Sequence, residues 1–176
     1  MPDQISSPAT VRHHVMVPPI SPDSPDRDGL RAVLPGGSVN GTAGDQHFVW
    51  QLTVAAQDIA LWRKQVGVAI DLLGGGRDAV EVAQLGVSEL LANVVTHVDD
   101  PSCRLEVLRV ERAACVRLFD RSRQVPAVRV PDWEAERGRG LWLLREVADG
   151  MGYALTGSGK WVWFRVALPD AGQVAA

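Results

Sequence analysis

The 176 residues carry 21 acidic and 18 basic side chains, a net charge of −3, and 46% hydrophobic residues. That balance gives room for one domain with a core and some irregular tail. It excludes the basic composition of a general nucleic-acid binder, and no apolar run approaches the ~20 residues that span a membrane. Near the N-terminus, VRHHVMVPPI is broken by His and Pro and lacks the continuous apolar centre of a signal peptide, so a cytoplasmic protein is expected.

Residues 1–45 are rich in Pro, Ser, Gly and Asp, and seven of the eleven prolines precede Gly36. Such a segment buries too little apolar surface to offset its chain entropy and is expected to be a disordered tail. Order is expected from 46. HFVWQLTV, 47–54, has the aromatic and β-branched content of a strand. Over 55–73, Ile59, Trp62, Val66, Ala69, Ile70 and Leu73 fall on one helical face, and Gly74-Gly75-Gly76 stops that helix. Asp78 is a candidate cap for a second helix that runs to His97 and ends at Asp99-Asp100-Pro101.

CRLEVLRVE and AACVRLFD then alternate as strands joined by a short turn, a hairpin. Residues 121–138 show no period and hold several arginines and Trp133, which suits a functional loop or lid. GRGLWLLREVAD, 138–149, opens a third helix on glycine, and strands near 151–156 and 161–168 flank the turn GSGK. Residues 169–176 are expected to fray. The pattern predicts an α+β two-layer sandwich. It combines a mixed, mostly antiparallel sheet with about three helices on one face, and a doubly wound parallel sheet fits badly. Cys103 and Cys115 lack metal-ligand spacing and are expected as buried free thiols. Trp50, Trp62, Trp142, Trp161 and Trp163 lie in periodic elements and are expected to pack, whereas Trp133 in the lid suits a partner anchor.

Three pieces carry polar chemistry. In SELLANVVTH, 88–97, Glu89, Asn93 and His97 recur every four residues on one helix face, while Leu90, Leu91, Val94 and Val95 read as the buried stripe. A carboxylate and an amide one turn apart can meet a hydrated Mg²⁺ and its phosphate ligands. They can equally be a solvent-facing acid and a tolerated amide, with His97 favoured by the helix C-terminus. Asp120 ends an apolar strand, where its carboxylate suits the exocyclic amine of adenine or simply opens a turn. Gly138-Arg139-Gly140-Leu141 starts a helix, where glycines admit a phosphate to the backbone N–H groups or merely form a hinge. Neither a P-loop nor a dinucleotide fingerprint is present.

In that order, SELLANVVTH, FD at a strand end, an Arg-rich segment, ERGRGL and GKWVWF closely resemble the GHKL ATPase superfamily over about 46–168. Within it, the chain resembles the small anti-sigma-factor serine/threonine kinases and their actinobacterial relatives. The resemblance implies the Bergerat ATP-binding fold, with ATP between sheet, second helix and lid, and Mg²⁺ as its metal. It implies Glu89 as general base, Asn93 as Mg²⁺ ligand, His97 as a basic position, and Asp120 as the adenine-binding residue. Gly138 and Gly140 would border the phosphates, with Arg139 and Leu141 in the same box, and Lys160 is a marker of the last hairpin. One departure is Asp120-Arg121-Ser122-Arg123, where the family often has DxGxG, so conformations needing positive φ would be costly there.

The expected function is ATP-dependent phosphorylation of a small anti-sigma-factor antagonist of the STAS type. The alternative is a non-catalytic ATP-binding module that sequesters a sigma factor or antagonist. Partners are expected to be such proteins, with neither nucleic acid nor membrane. A homodimer covering an exposed sheet edge fits the same picture. A histidine kinase proper is not expected, because the Pro-rich segment before 46 offers no helix pair with a phospho-acceptor His.

Overall fold

A computed structural model describes residues 37–40, 47–125 and 140–169. Among the described residues six strands form one sheet: β1 (Gly37–Asn40), β2 (His47–Thr53), β3 (Ser102–Val110), β4 (Ala113–Asp120), β5 (Gly150–Leu155) and β6 (Lys160–Ala167). The order is β1-β2-β3-β4-β6-β5, and every described pairing is antiparallel. The expectation of a mixed sheet thus resolves into an antiparallel one. β1 adds an edge strand from inside 1–45, the stretch read as disordered tail; its partner is the aromatic strand β2. Residues 170–176, which hold most of the expected frayed end, lie outside the described residues.

Three described helices supply the other layer: α1 (Ile59–Leu72), α2 (Arg77–His97) and α3 (Gly140–Val147). A 3₁₀ turn at Ala56–Asp58 precedes α1. Gly74 accepts φ +84 after α1, a left-handed conformation a side chain resists, and lets the chain reverse into α2. Gly76, not Asp78, caps α2; Asp78 sits in the first turn, where its charge still favours the helix N-terminus. α2 meets the length and apolarity of a membrane-crossing helix, but its apolar stripe faces the sheet. Ala83, Val87, Leu90, Leu91 and Val94 are buried there, whereas Val95, read as part of that stripe, is 39% exposed. Val95 lies 100° round from Val94, outside the buried sector.

Side chains alternate across the strands and give the sheet two unlike faces. Phe48, Trp50, Leu52, Leu105, Val107, Val116, Leu118, Val162 and Phe164 join the helices in the core. Phe48 stacks on Trp50, and Trp62 of α1 meets Trp50 edge-on at 6.1 Å. Close approach of α2 depends on Gly86, where an added Cβ would overlap the Phe164 ring.

The other face is helix-free among the described residues. Trp163 lies here, and Phe119 and Trp161 pair here at 5.3 Å, with the Arg117 guanidinium 4.7 Å over the Trp161 ring. Cys103 and Cys115 are free thiols, as expected; register places Cys103 opposite Asp120 and Cys115 opposite Leu108, too far along the hairpin to bond. Cys103 is buried and Cys115 partly so, and burial pushes their thiols up to about 12 and about 11.

Candidate nucleotide site

The site lies where β4 ends beneath the C-terminal half of α2. A cavity of about 200 Å³ is walled by Leu90, Val98, Leu118 and Val162 and edged by Asn93, His97, Asp120, Ser122 and Lys160. Apolar walls with a few convergent polar groups suit a flat heterocycle. A larger groove of about 610 Å³ crosses the opposite sheet face past Arg104, Phe119, Arg121 and Trp161. It lacks a carboxylate in its lining and holds none of the residues that the sequence marked for nucleotide, metal or catalysis.

Asp120 is only 2% exposed because strand alternation turns it toward the helices. Its Oδ1 accepts from Lys160 Nζ at 2.7 Å and from the Ser122 N–H at 2.8 Å. Lys160 opens β6 directly opposite Asp120 in the sheet register. Gly159 permits this approach, since a Cβ there would overlap the Asp120 carbonyl oxygen. The lysine is therefore part of the site, a role that its reading as a family marker did not contain. The GKWVWF signal was visible; its partner forty residues away was not.

The missing glycines after Asp120 do not impose the expected strain. Among the described residues the one non-glycine with positive φ is Glu111, in the β3–β4 turn. The turn after Asp120 is closed by its own carboxylate, by Ser122 Oγ accepting from the Gln124 N–H at 3.1 Å, and by Arg121 reaching Asp100 at 2.8 Å. Arg121 is thus paired with a neighbouring turn.

Along α2 the predicted polar face is real but graded. His97 is exposed at the cavity rim, near the helix C-terminus. Asn93 is half-buried, and its Nδ2 has no hydrogen-bond partner, an unspent polar group at the cavity edge. Glu89, one turn further, lies outside the cavity and against the start of α3. A Cβ on Gly140 would overlap the Glu89 carboxyl, so glycine is needed for contact rather than for backbone freedom. Burial pushes the Glu89 carboxyl above its ordinary value. Leu141 is buried in the core under α3. Gly138 and Arg139 lie outside the described residues, as does Trp133.

The donor set fits an adenine nucleotide: an apolar slot and a buried carboxylate for the base, with an unpartnered amide at the cavity edge. For a metal, the described residues hold no cluster of three or more His, Cys, Asp or Glu. A Mg²⁺ ion here would therefore rest on Asn93 together with phosphate oxygens and water, the mode such ions commonly use.

The same stretch of chain is matched by the model of the histidine kinase-like ATPase domain, over residues 52–166. The chain belongs to that family. Among solved structures, this ATPase domain is similar to the crystal structure of the RsbU and RsbW domains of Rv1364c from Mycobacterium tuberculosis. The TM-score is 0.51 at 14% identity, over 68% of this chain and 32% of that one. The likeness is one of fold, and the chain spans about a third of that structure's length. None of the curated proteins compared matches the chain.

Proposed function

We infer that this ATPase domain is an ATP- and Mg²⁺-dependent serine/threonine protein kinase of the anti-sigma-factor type. Its substrate would be a small antagonist protein bearing the acceptor hydroxyl. The observation that carries this reading is the arrangement along α2. From the cavity that ends on Asp120, the helix leads past the unpartnered Asn93 to a half-buried Glu89 held under Gly140.

Bound ATP supplies the γ-phosphoryl group and, with Mg²⁺, the charge balance of its transfer. The chain's own residues position and move the proton. Asp120 accepts from the base amine, and the apolar walls exclude water from its ring. Asn93 offers its amide oxygen to the metal. Glu89 takes the proton of the attacking hydroxyl; its raised pKa makes it a stronger base and brings its proton affinity nearer to neutral pH. Phosphoryl transfer asks mainly for such positioning and charge neutralisation.

The test uses the purified chain, radiolabelled ATP, Mg²⁺ and a candidate antagonist encoded beside it. Label is expected on the antagonist. Glu89→Gln is expected to lower transfer by at least ~10²-fold, the usual weight of a general base, with ATP affinity nearly unchanged. Transfer at the wild-type rate in that variant removes the base assignment. Tight ATP binding with no transfer by the wild type favours the non-catalytic sequestering module instead.

A further inference from the structure

Lys160 is 5% exposed, and a lysine is so deeply buried only when its charge is met. An ammonium has three N–H donors and no acceptor. Two point to described partners: Asp120 Oδ1 at 2.7 Å and, more weakly, the Ser122 carbonyl oxygen at 3.3 Å. No described residue takes the third, and Lys160 lines the cavity. Asp120 is in the complementary position. Its Oδ1 receives both Lys160 and the Ser122 N–H, while Oδ2 receives no hydrogen bond from the described residues. A purely structural buried ion pair is stabilising only when its remaining donors and lone pairs are also satisfied. Leu90, Val98, Leu118, Val125 and Val162 of the cavity wall are apolar, and of its other polar lining residues only Ser122 is hydrogen-bonded to either member of the pair.

The polar end of the cavity therefore presents one open carboxylate oxygen beside one unspent ammonium proton. Resting on the ATP-binding reading of this cavity, we propose that Lys160 is a second base-reading residue. It donates to the ring nitrogen N1 of adenine while Asp120 Oδ2 accepts from the neighbouring 6-amino group. Adenine carries that donor and acceptor side by side. Guanine reverses them and adds a 2-amino group, so it asks one carboxylate for two free oxygens. Asp120 has one left, because Lys160 and Ser122 have spent the other. Lys160 thus both supplies a contact and narrows the choice of base.

Calorimetric titration of the full chain with ATP, 1-deaza-ATP and GTP tests this. In 1-deaza-ATP the N1 acceptor is replaced by C–H. Wild-type protein is expected to bind 1-deaza-ATP about tenfold or more weaker than ATP, the cost of one charge-assisted hydrogen bond with a buried donor left unmet, and GTP weaker still. In Lys160→Met the deaza penalty is expected to fall within about twofold, whatever the variant's overall affinity. An equal penalty in wild type and Lys160→Met, or wild-type GTP binding as tight as ATP, overturns the proposal. Should Lys160→Met lose its circular dichroism signal, Lys160→Gln takes its place. A neutral amide donor is expected to show a smaller penalty than wild type, and an unchanged one overturns the assignment. Failure of wild type to bind ATP at all removes the nucleotide reading itself, a result distinct from a flat deaza series.

Discussion

Glu106 sits on the helix-free face of the sheet, yet its side chain is 0% exposed. It is roofed by cations. Arg117 Nε donates to its Oε2 at 2.6 Å, His47 Nε2 lies 3.1 Å from the same oxygen, and Arg104 forms an ion pair with Oε1 that lacks hydrogen-bond alignment. Burial pushes the Glu106 carboxyl up, but the His47 hydrogen bond and the Arg117 charge more than offset it, and its pKa ends below the ordinary 4.5. A depressed folded pKa means that the ionised group stabilises the fold fully above 4.5, and that this contribution is lost as pH falls through the lower folded value. Removing the carboxylate charge leaves the arginines uncompensated, so Glu106→Gln is expected to cost about 3 kcal/mol at pH 6. In denaturant titrations from pH 6 to pH 3 the wild-type and variant stabilities should converge. Curves that stay parallel deny the ion cluster its role. In the sequence Glu106 was one letter of an alternating strand. Its partners come from β2, β4 and its own strand, so nothing local announced them.

At the scale of elements, the periodicity of α2 foretold its buried stripe but not how closely it lies on the sheet. Two glycines in helices separate these effects. An added methyl at Gly86 meets the ring of Phe164, which is itself fully buried and has nowhere to go. At Gly67, the added methyl meets chiefly the amide end of Gln84, a group able to swing aside. Both substitutions to alanine gain up to ~1 kcal/mol of helix propensity. Overpacking of about 1–3 kcal/mol reverses the sign at Gly86 only. Thermal melts are expected to show Gly86→Ala below wild type and Gly67→Ala at or above it; the reverse order would contradict the packing described. The hairpins were legible because alternation and turn residues are local. β1 escaped because four residues among glycines and prolines show no period of their own.

At the scale of the molecule, the proposed nucleotide cavity is built from both layers. A ligand that binds only the folded state stabilises it by mass action, about 2.7 kcal/mol at a hundredfold excess over Kd. For a domain of this size that is a rise in Tm of roughly 10 °C. Asp120→Asn keeps the shape of the side chain but places an amide where the base amine should donate. Its own Tm is expected to fall, since Lys160 loses its counter-ion. The informative quantity is the ATP-induced rise, expected to vanish in differential scanning fluorimetry. A rise as large as in wild type would move the base elsewhere. Glu89→Gln gives the opposite control. The Glu89 carboxyl has a folded pKa raised by burial, so stability is lost as pH rises through the range between unfolded and folded values. Its amide variant is therefore expected to melt at or above the wild-type temperature at pH 7 while losing transfer.

The sequence by itself determined the elements other than β1, the hairpin pairing and the polar face of α2, because helical and strand periods and turn chemistry act within a few residues. It also marked Glu89, Asn93, His97 and Asp120 as worth placing together. Only the tertiary structure decided which of them share a cavity, that Lys160 neutralises Asp120, that Gly140 makes room for Glu89, and that a carboxylate is buried on the open face. Each of those facts depends on sheet register and helix approach between segments distant in the chain, His47 and Glu106 being 59 residues apart. Contacts over such distances are fixed by how the layers pack, and no local pattern along the chain encodes them.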